Sequence, residues 1–185
     1  MQMPRKHSMG VTLIELLIVI SIIAVLTTMA LPSFANLRQS SVSRSARSAL
    51  SVTINQARIA AAMRRQTVVV CPSANQTDCV RNLRWQHGWI AFFDSNRDGE
   101  HDTNEEILAL SQAQSTGISI LSTSGRHRIR YQADGTSDGS NLTLTFCDRR
   151  GPASASTLVV SNAGRLRSGV PTAAQASAAC AAIDS

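Results

Sequence analysis

The chain has 185 residues, 43% of them hydrophobic and only 4% aromatic, and carries a formal net charge of +6. That length holds one domain beside a membrane anchor, and so few aromatics argue against a platform on which nucleic-acid bases could stack. No Gly-x-Ser-x-Gly, His-Glu-x-x-His or phosphate-binding loop occurs, and His7, His87, His101 and His127 are scattered, so neither a catalytic site nor a cofactor is expected.

Residues 1–10 form a short polar leader containing Arg5 and Lys6. From Val11 to Leu31 the only charged residue is Glu15. A helix of about 20 apolar residues spans a bilayer. A carboxylate at the centre of such a helix costs roughly 2.5–3.5 kcal/mol, and less near an end, so Glu15 calls for a partner elsewhere. The basic leader places the N-terminus in the cytoplasm and the rest of the chain in the periplasm, with one pass through the inner membrane. Without Arg5 and Lys6 the chain keeps 16 basic and 12 acidic side chains, a net charge of +4. All 16 are Arg, whose planar guanidinium can donate two parallel hydrogen bonds to a phosphate.

Helical periodicity continues beyond Leu31. Pro32 removes a backbone donor and is expected to kink the helix. Phe34, Leu37, Ala46, Leu50, Ile54, Ala57 and Ala61 then recur at three- and four-residue steps, with Ser41 or Val42 in the gap, while most arginines fall off that stripe. The pattern predicts an amphipathic helix with one face for a core. From Thr12 to about Arg64 it would be roughly 80 Å long. Strands are expected over 66–71, 83–93, 106–110, 118–121, 127–132, 142–147 and 157–160, separated by turn clusters such as Asp134-Gly135 and Arg150-Gly151-Pro152. Short strands with close turns point to antiparallel sheets. The expected division is a leader (1–10), a transmembrane segment (11–31), an amphipathic helical half (32–65), a β head (66–169) and an Ala-rich tail (170–185).

Four cysteines behind a membrane-crossing signal point to disulfides. Of three connectivities the expected one joins Cys71 to Cys79 across a tight loop, and Cys147 to Cys180, which ties down the tail. Zinc is disfavoured, because no C-x-x-C pair exists. Asp94-x-Asn96-x-Asp98-Gly99, with Asp102 and Glu105, matches the spacing of a calcium loop. Its flanks read as strand rather than helix, so a self-bonded turn is expected, with Asp94, Asn96, Asp98 and Glu105 as the alternative calcium set. In Gly164-Arg165-Leu166-Arg167, an extended backbone puts both arginines on one side, roughly 7 Å apart. Successive phosphates of one DNA strand have a similar spacing. Between Arg126 and Arg167 there are seven Arg against three Asp, so positive charge gathers late in the chain.

The leader, Gly10-Val11-Thr12-Leu13-Ile14-Glu15-Leu16-Leu17 and Pro32 together resemble the class III signal of type IV pilins and type II secretion pseudopilins. That resemblance implies cleavage by prepilin peptidase between Gly10 and Val11 and N-methylation of Val11, which stands where the family usually has Phe. It also implies pairing of Glu15 with the N-terminal amine of a neighbouring pilin subunit. Cys-Pro-Ser-x-Asn from Cys71, Trp-x-x-Gly-Trp-Ile-Ala-Phe-Phe-Asp-x-Asn-x-Asp-Gly from Trp85, and Gly-Arg-Leu-Arg from Gly164 are similar to the GspH/FimT group of minor pilins and pseudopilins. The implied fold is α+β, a long N-terminal helix packed on two small antiparallel sheets. FimT-like members bind DNA for natural transformation through a Gly-Arg-x-Arg motif, which Gly164, Arg165 and Arg167 match, with Arg149 and Arg150 as support. Such binding would be electrostatic and independent of sequence. The alternatives are a subunit that primes or stabilises the pilus without binding DNA, and a type II secretion pseudopilin.

Overall fold

The computed structural model describes residues 12–137 and 139–183, the side chains of 29–32 aside. Gly10 and Val11, the expected cleavage and methylation positions, lie outside the described residues. Helix α1 covers Leu13–Arg64. The Thr12 hydroxyl accepts from the Glu15 N–H at 3.3 Å and so caps the helix start. The helix runs on through Pro32. The chain divides into two units, 1–38 and 39–185. In the first, the described side chains from Thr12 to Thr28 are all exposed, and the helix is long and apolar enough to cross a membrane.

The second unit, the head, has its own core. From Gln39 onward α1 buries Ser43, Ala46, Leu50, Thr53, Ile54, Ala57 and Ala61, a stripe one helical face wide. Phe34 and Leu37, expected on the same stripe, are exposed, because the buried face starts only at Ser43. Around this face lie two four-stranded antiparallel sheets. Strands β1 (Val68–Pro72), β2 (Trp89–Phe93), β3 (Ile107–Ser111) and β5 (Ile129–Tyr131) form the first, in the order β3-β2-β1-β5. Strands β4 (Ile118–Ser122), β6 (Leu142–Asp148), β7 (Ser156–Val160) and β8 (Leu166–Gly169) form the second, in the order β4-β6-β7-β8.

Alternation decides what each sheet buries. Val68, Val70, Trp89, Ala91, Phe93, Ile129 and Tyr131 join the α1 core from the first sheet, and Ile118, Ile120, Leu142, Leu144, Phe146, Leu158 and Val160 from the second. Trp89 Nε1 donates to the Thr53 hydroxyl at 3.1 Å, so the indole is satisfied inside the core. The opposite face of the first sheet is not polar either: Val69, Cys71, Ile90 and Phe92 make a second cluster, packed by Ile107 and Cys79. Cys71 is bonded to Cys79 and Cys147 to Cys180.

The expected tail is a helix. Helix α2 (Ala173–Ala181) starts in a capping box, with Thr172 and Gln175 exchanging bonds, and buries Ala176 and Ala179. It packs on β4 and β6, on the side of the second sheet away from α1.

Candidate functional site

The turn between β7 and β8 is built from both ends of the sequence. The Gly164 N–H donates to the Ser161 carbonyl at 2.7 Å and closes the turn. Arg58 of α1 reaches over it, donating from Nε to the Gly135 carbonyl at 3.0 Å and from Nη2 to the Ala163 carbonyl at 3.3 Å. Ser137 adds bonds to the carbonyls of Asn162 and Ser161. Gly164 has φ +73°, and a Cβ there would lie 2.1 Å from the Gly135 carbonyl oxygen. Both the positive φ and the close approach demand glycine. Gly164→Ala is therefore expected to cost about 2 kcal/mol, read as a lower denaturant midpoint with an unchanged slope.

That turn delivers Arg165 and Arg167. Across the ladder Arg167 faces Val159 and Leu166 faces Val160. Since Val160 points into the core, Arg167, and Arg165 two residues before it, take the outer side of the sheet. Both arginines are exposed and line a cleft of about 370 Å³ with Ser161, Asn162 and Ala163. Among the described residues, no hydrogen bond or ion pair holds either guanidinium. Two exposed cations on one side of the sheet edge, without carboxylate partners among the described residues, can grip an anionic ligand bidentately.

Arg149 and Arg150 are elsewhere. Phe146 pairs with Ser156 and Val160 with Leu166, so the turn after β6 and the turn after β7 lie at opposite ends of the second sheet. The length of β7 alone separates them by about 13 Å. Arg150 is also engaged: its Nε and Nη2 donate to the buried Asp148 carboxylate at 2.8 and 2.7 Å. This takes Arg150 out of the expected set of supporting cations. Burial pushes the Asp148 carboxyl up, but the bonds from Arg150, its charge and the Ser43 hydroxyl outweigh that and hold it below its usual value. A carboxyl with a depressed folded value contributes stability above its unfolded value near pH 4, and loses it as pH falls through the folded value. Asp148→Asn is thus expected to flatten the acid limb of a stability–pH curve below about pH 4 and to leave the curve parallel to the parent's above it.

The alternating set Arg126, Arg128 and Arg130 divides by role. Arg128 donates to the Gly99 carbonyl and to Glu100 Oε1 at 2.9 Å, and Arg130 stands 3.8 Å from buried Asp94. Both therefore clamp the acidic turn. Burial, then the charges of Arg128 and Arg81, hold His127 below its usual value, so it is neutral at pH 7. Arg126 stays exposed, donating to the Gly139 carbonyl.

The acidic turn serves itself. Asn96 Nδ2 donates to Asp98 and Asp102 at 2.9 Å, Asp98 accepts from the Glu100 N–H, and Glu105 accepts from the N–H groups of Ser95 and Asp102. Among the described residues no three acidic, His or Cys side chains converge as metal ligands. Of the calcium set read from spacing, Asn96, Asp98 and Glu105 are thus engaged in turn bonds, whereas the buried Asp94 carboxylate accepts no hydrogen bond among the described residues and faces Arg130 at 3.8 Å. His101 packs edge-on against Phe92 at 5.2 Å, so the turn helps to cover the outer face of the first sheet.

Comparison with known proteins fits these features. A family model described as type II transport protein GspH matches residues 46–164. A second, the prokaryotic N-terminal methylation motif, matches residues 5–31. No curated protein matches the chain. Two crystal forms of the type IV minor pilin FimU from Pseudomonas aeruginosa are similar in fold. One is 16% identical with a TM-score of 0.56, covering 77% of this chain and 95% of that one. The other is 17% identical with a TM-score of 0.53, covering 74% and 98%. The GspH match ends at Gly164, so Arg165 and Arg167 fall just beyond it.

Proposed function

The chain belongs to the GspH/FimT family of minor type IV pilins and pseudopilins, and from that membership we propose that it is a minor pilin whose head binds DNA by its phosphates for uptake in natural transformation. The apolar N-terminal helix anchors the chain in the inner membrane, with the head in the periplasm, until prepilin peptidase cuts after Gly10 and the subunit enters the pilus. Glu15 then meets the amine of a neighbouring subunit, whose packing covers the exposed apolar side chains of α1, Phe34 and Leu37 among them.

One observation supports the DNA reading above the others. Arg165 and Arg167 are exposed, point to the same side of an edge strand, and have no carboxylate partner among the described residues. Five of the thirteen other arginines from Arg44 onward, those at 64, 81, 128, 130 and 150, are instead held by carboxylates. Such a pair reads charge and spacing, and no base edge.

The test is a binding titration of the head from Gln39 onward, which carries its own core, against unrelated duplex sequences. Equal affinities within a factor of about three, with log K falling linearly in log salt, are the expected outcome. A head that leaves duplex DNA unshifted at low salt refutes the reading and favours a priming subunit or a secretion pseudopilin.

A further inference from the structure

The register links the edge strand that carries Arg167 to the opposite edge of the second sheet. Arg167 faces Val159, Val159 faces Thr143, and the Thr123 N–H donates to the Thr143 carbonyl at 2.9 Å. These four residues form one row across β8, β7, β6 and the end of β4. The row lies on the outer side, because the alternate residues Leu142, Leu144 and Val160 face α1. Three residues past Thr123 stands Arg126, exposed, its backbone tied to Thr123 by an N–H to carbonyl bond of 2.9 Å. Arg167 and Thr123 stand three strand spacings or about 14 Å apart across that row, and Arg165 and Arg126, the latter donating to the Gly139 carbonyl, lie beyond them at the same end of the sheet.

That end is the far pole of the head. The chain enters the head at Gln39 and α1 reaches Arg58 before it touches the β7–β8 turn, whereas Ser43, close to the entry, bonds to Asp148 at the other end of the sheet. Beside that row, Thr123, Ser124, Thr143 and Thr145 line a cleft of about 300 Å³ with Ala174, Gln175 and Ala178 of α2, and its lining holds no carboxylate.

On the reading that this head binds DNA, we propose that Arg126 is the second point of a two-strand grip. Arg165 and Arg167 hold phosphates of one strand, and Arg126 holds a phosphate of the other across a groove. The separation fits: about 14 Å between strand ends compares with a major-groove width of about 12 Å. A single-stranded ligand has no second backbone at that distance, so the arrangement selects duplex over single strands. It also assigns to Arg126 a role that Arg128 and Arg130, turned into the acidic turn, do not share.

The experiment uses the full-length protein in non-ionic detergent and fluorescence anisotropy with a 30-mer as duplex and as single strand. Arg126→Gln is expected to weaken duplex binding about fivefold and to make the salt slope shallower by about one. Its single-strand affinity stays within about twofold of the parent. Arg126→Lys, which keeps the charge, is expected to restore both duplex affinity and slope. Arg44→Gln, an exposed charge near the entry end of α1, controls for bulk charge and should match the parent. Arg126→Gln binding duplex like the parent overturns the grip and leaves the Arg165–Arg167 contact standing. An equal loss on both ligands also overturns it, since all three arginines would then follow one strand. A parent that binds neither ligand removes the DNA reading, and this inference falls with it.

Discussion

Replacing Arg165 and Arg167 together by Gln is expected to weaken duplex binding on the order of 100-fold at physiological salt. Each arginine would lose a charge-assisted contact. At an exposed site each is taken at the low end of the range for charged hydrogen bonds, about 1.5 kcal/mol. Two contacts then give about 3 kcal/mol, or two powers of ten. The salt dependence supplies an independent reading. Each phosphate contact contributes close to one unit to the slope of log K against log salt, so the double variant should be shallower by about two. Stability should hardly move, because neither side chain has a partner to lose among the described residues. A melting temperature within about 2 °C of the parent would show that the site, and not the fold, was removed. Unchanged affinity in the double variant would refute these two arginines as the contact.

Much of this architecture is legible from periodicity. The apolar run, the α1 stripe from Ala46 to Ala61 and the seven strand segments follow from side-chain spacing, and a strand of the structure overlaps each segment, with β8 as an eighth outside them. Boundaries shift where tertiary contacts decide. The segment from Leu83 to Trp85 is too irregular for a strand, although Arg84 makes an isolated bridge to Leu121 on the second sheet. Phe34 and Leu37 keep the helical period but precede the buried face. Periodicity says which residues share a face, not where along the helix a partner begins.

Helix α2 escaped for a different reason. Its composition, almost all Ala, carries no amphipathic pattern, so only its start is informative. Thr172-x-x-Gln175 is a capping-box signature, and with Ala as the strongest helix former it is sufficient to expect a helix. The site was half legible. The alternation of Arg165 and Arg167 can be read directly, but the engagement of Arg150 by Asp148 and the opposite placement of the two turns depend on strand register. The acidic turn is ambiguous in principle: Asp and Asn at alternate positions suit both a calcium loop and a self-bonded turn. The hydrogen-bond partners of Asn96, Asp98 and Glu105 are those of the self-bonded turn.

Removing the Cys147–Cys180 disulfide by Cys147→Ser and Cys180→Ser should be the most destabilising change that leaves the arginine site intact. The two cysteines are 33 positions apart. Closing a loop of that size in the unfolded chain costs entropy equivalent to about 4 kcal/mol, compared with about 2.5 kcal/mol for the shorter Cys71–Cys79 loop. A domain of this size has a net stability of about 5–15 kcal/mol, so the longer bridge is a large share of it. Helix α2 has little else to hold it. It is nine residues long, well below the length at which an isolated helix persists, and it seats only small alanines on the sheet. The expected result is a fall in melting temperature of about 10 °C by calorimetry, with early loss of amide protection over Ala173–Ala181. Duplex binding at 25 °C should persist, because Arg165 and Arg167 sit on the β8 side of the sheet while α2 covers β4 and β6. A variant melting within about 2 °C of the parent would mean that packing of Ala176 and Ala179 holds α2 unaided.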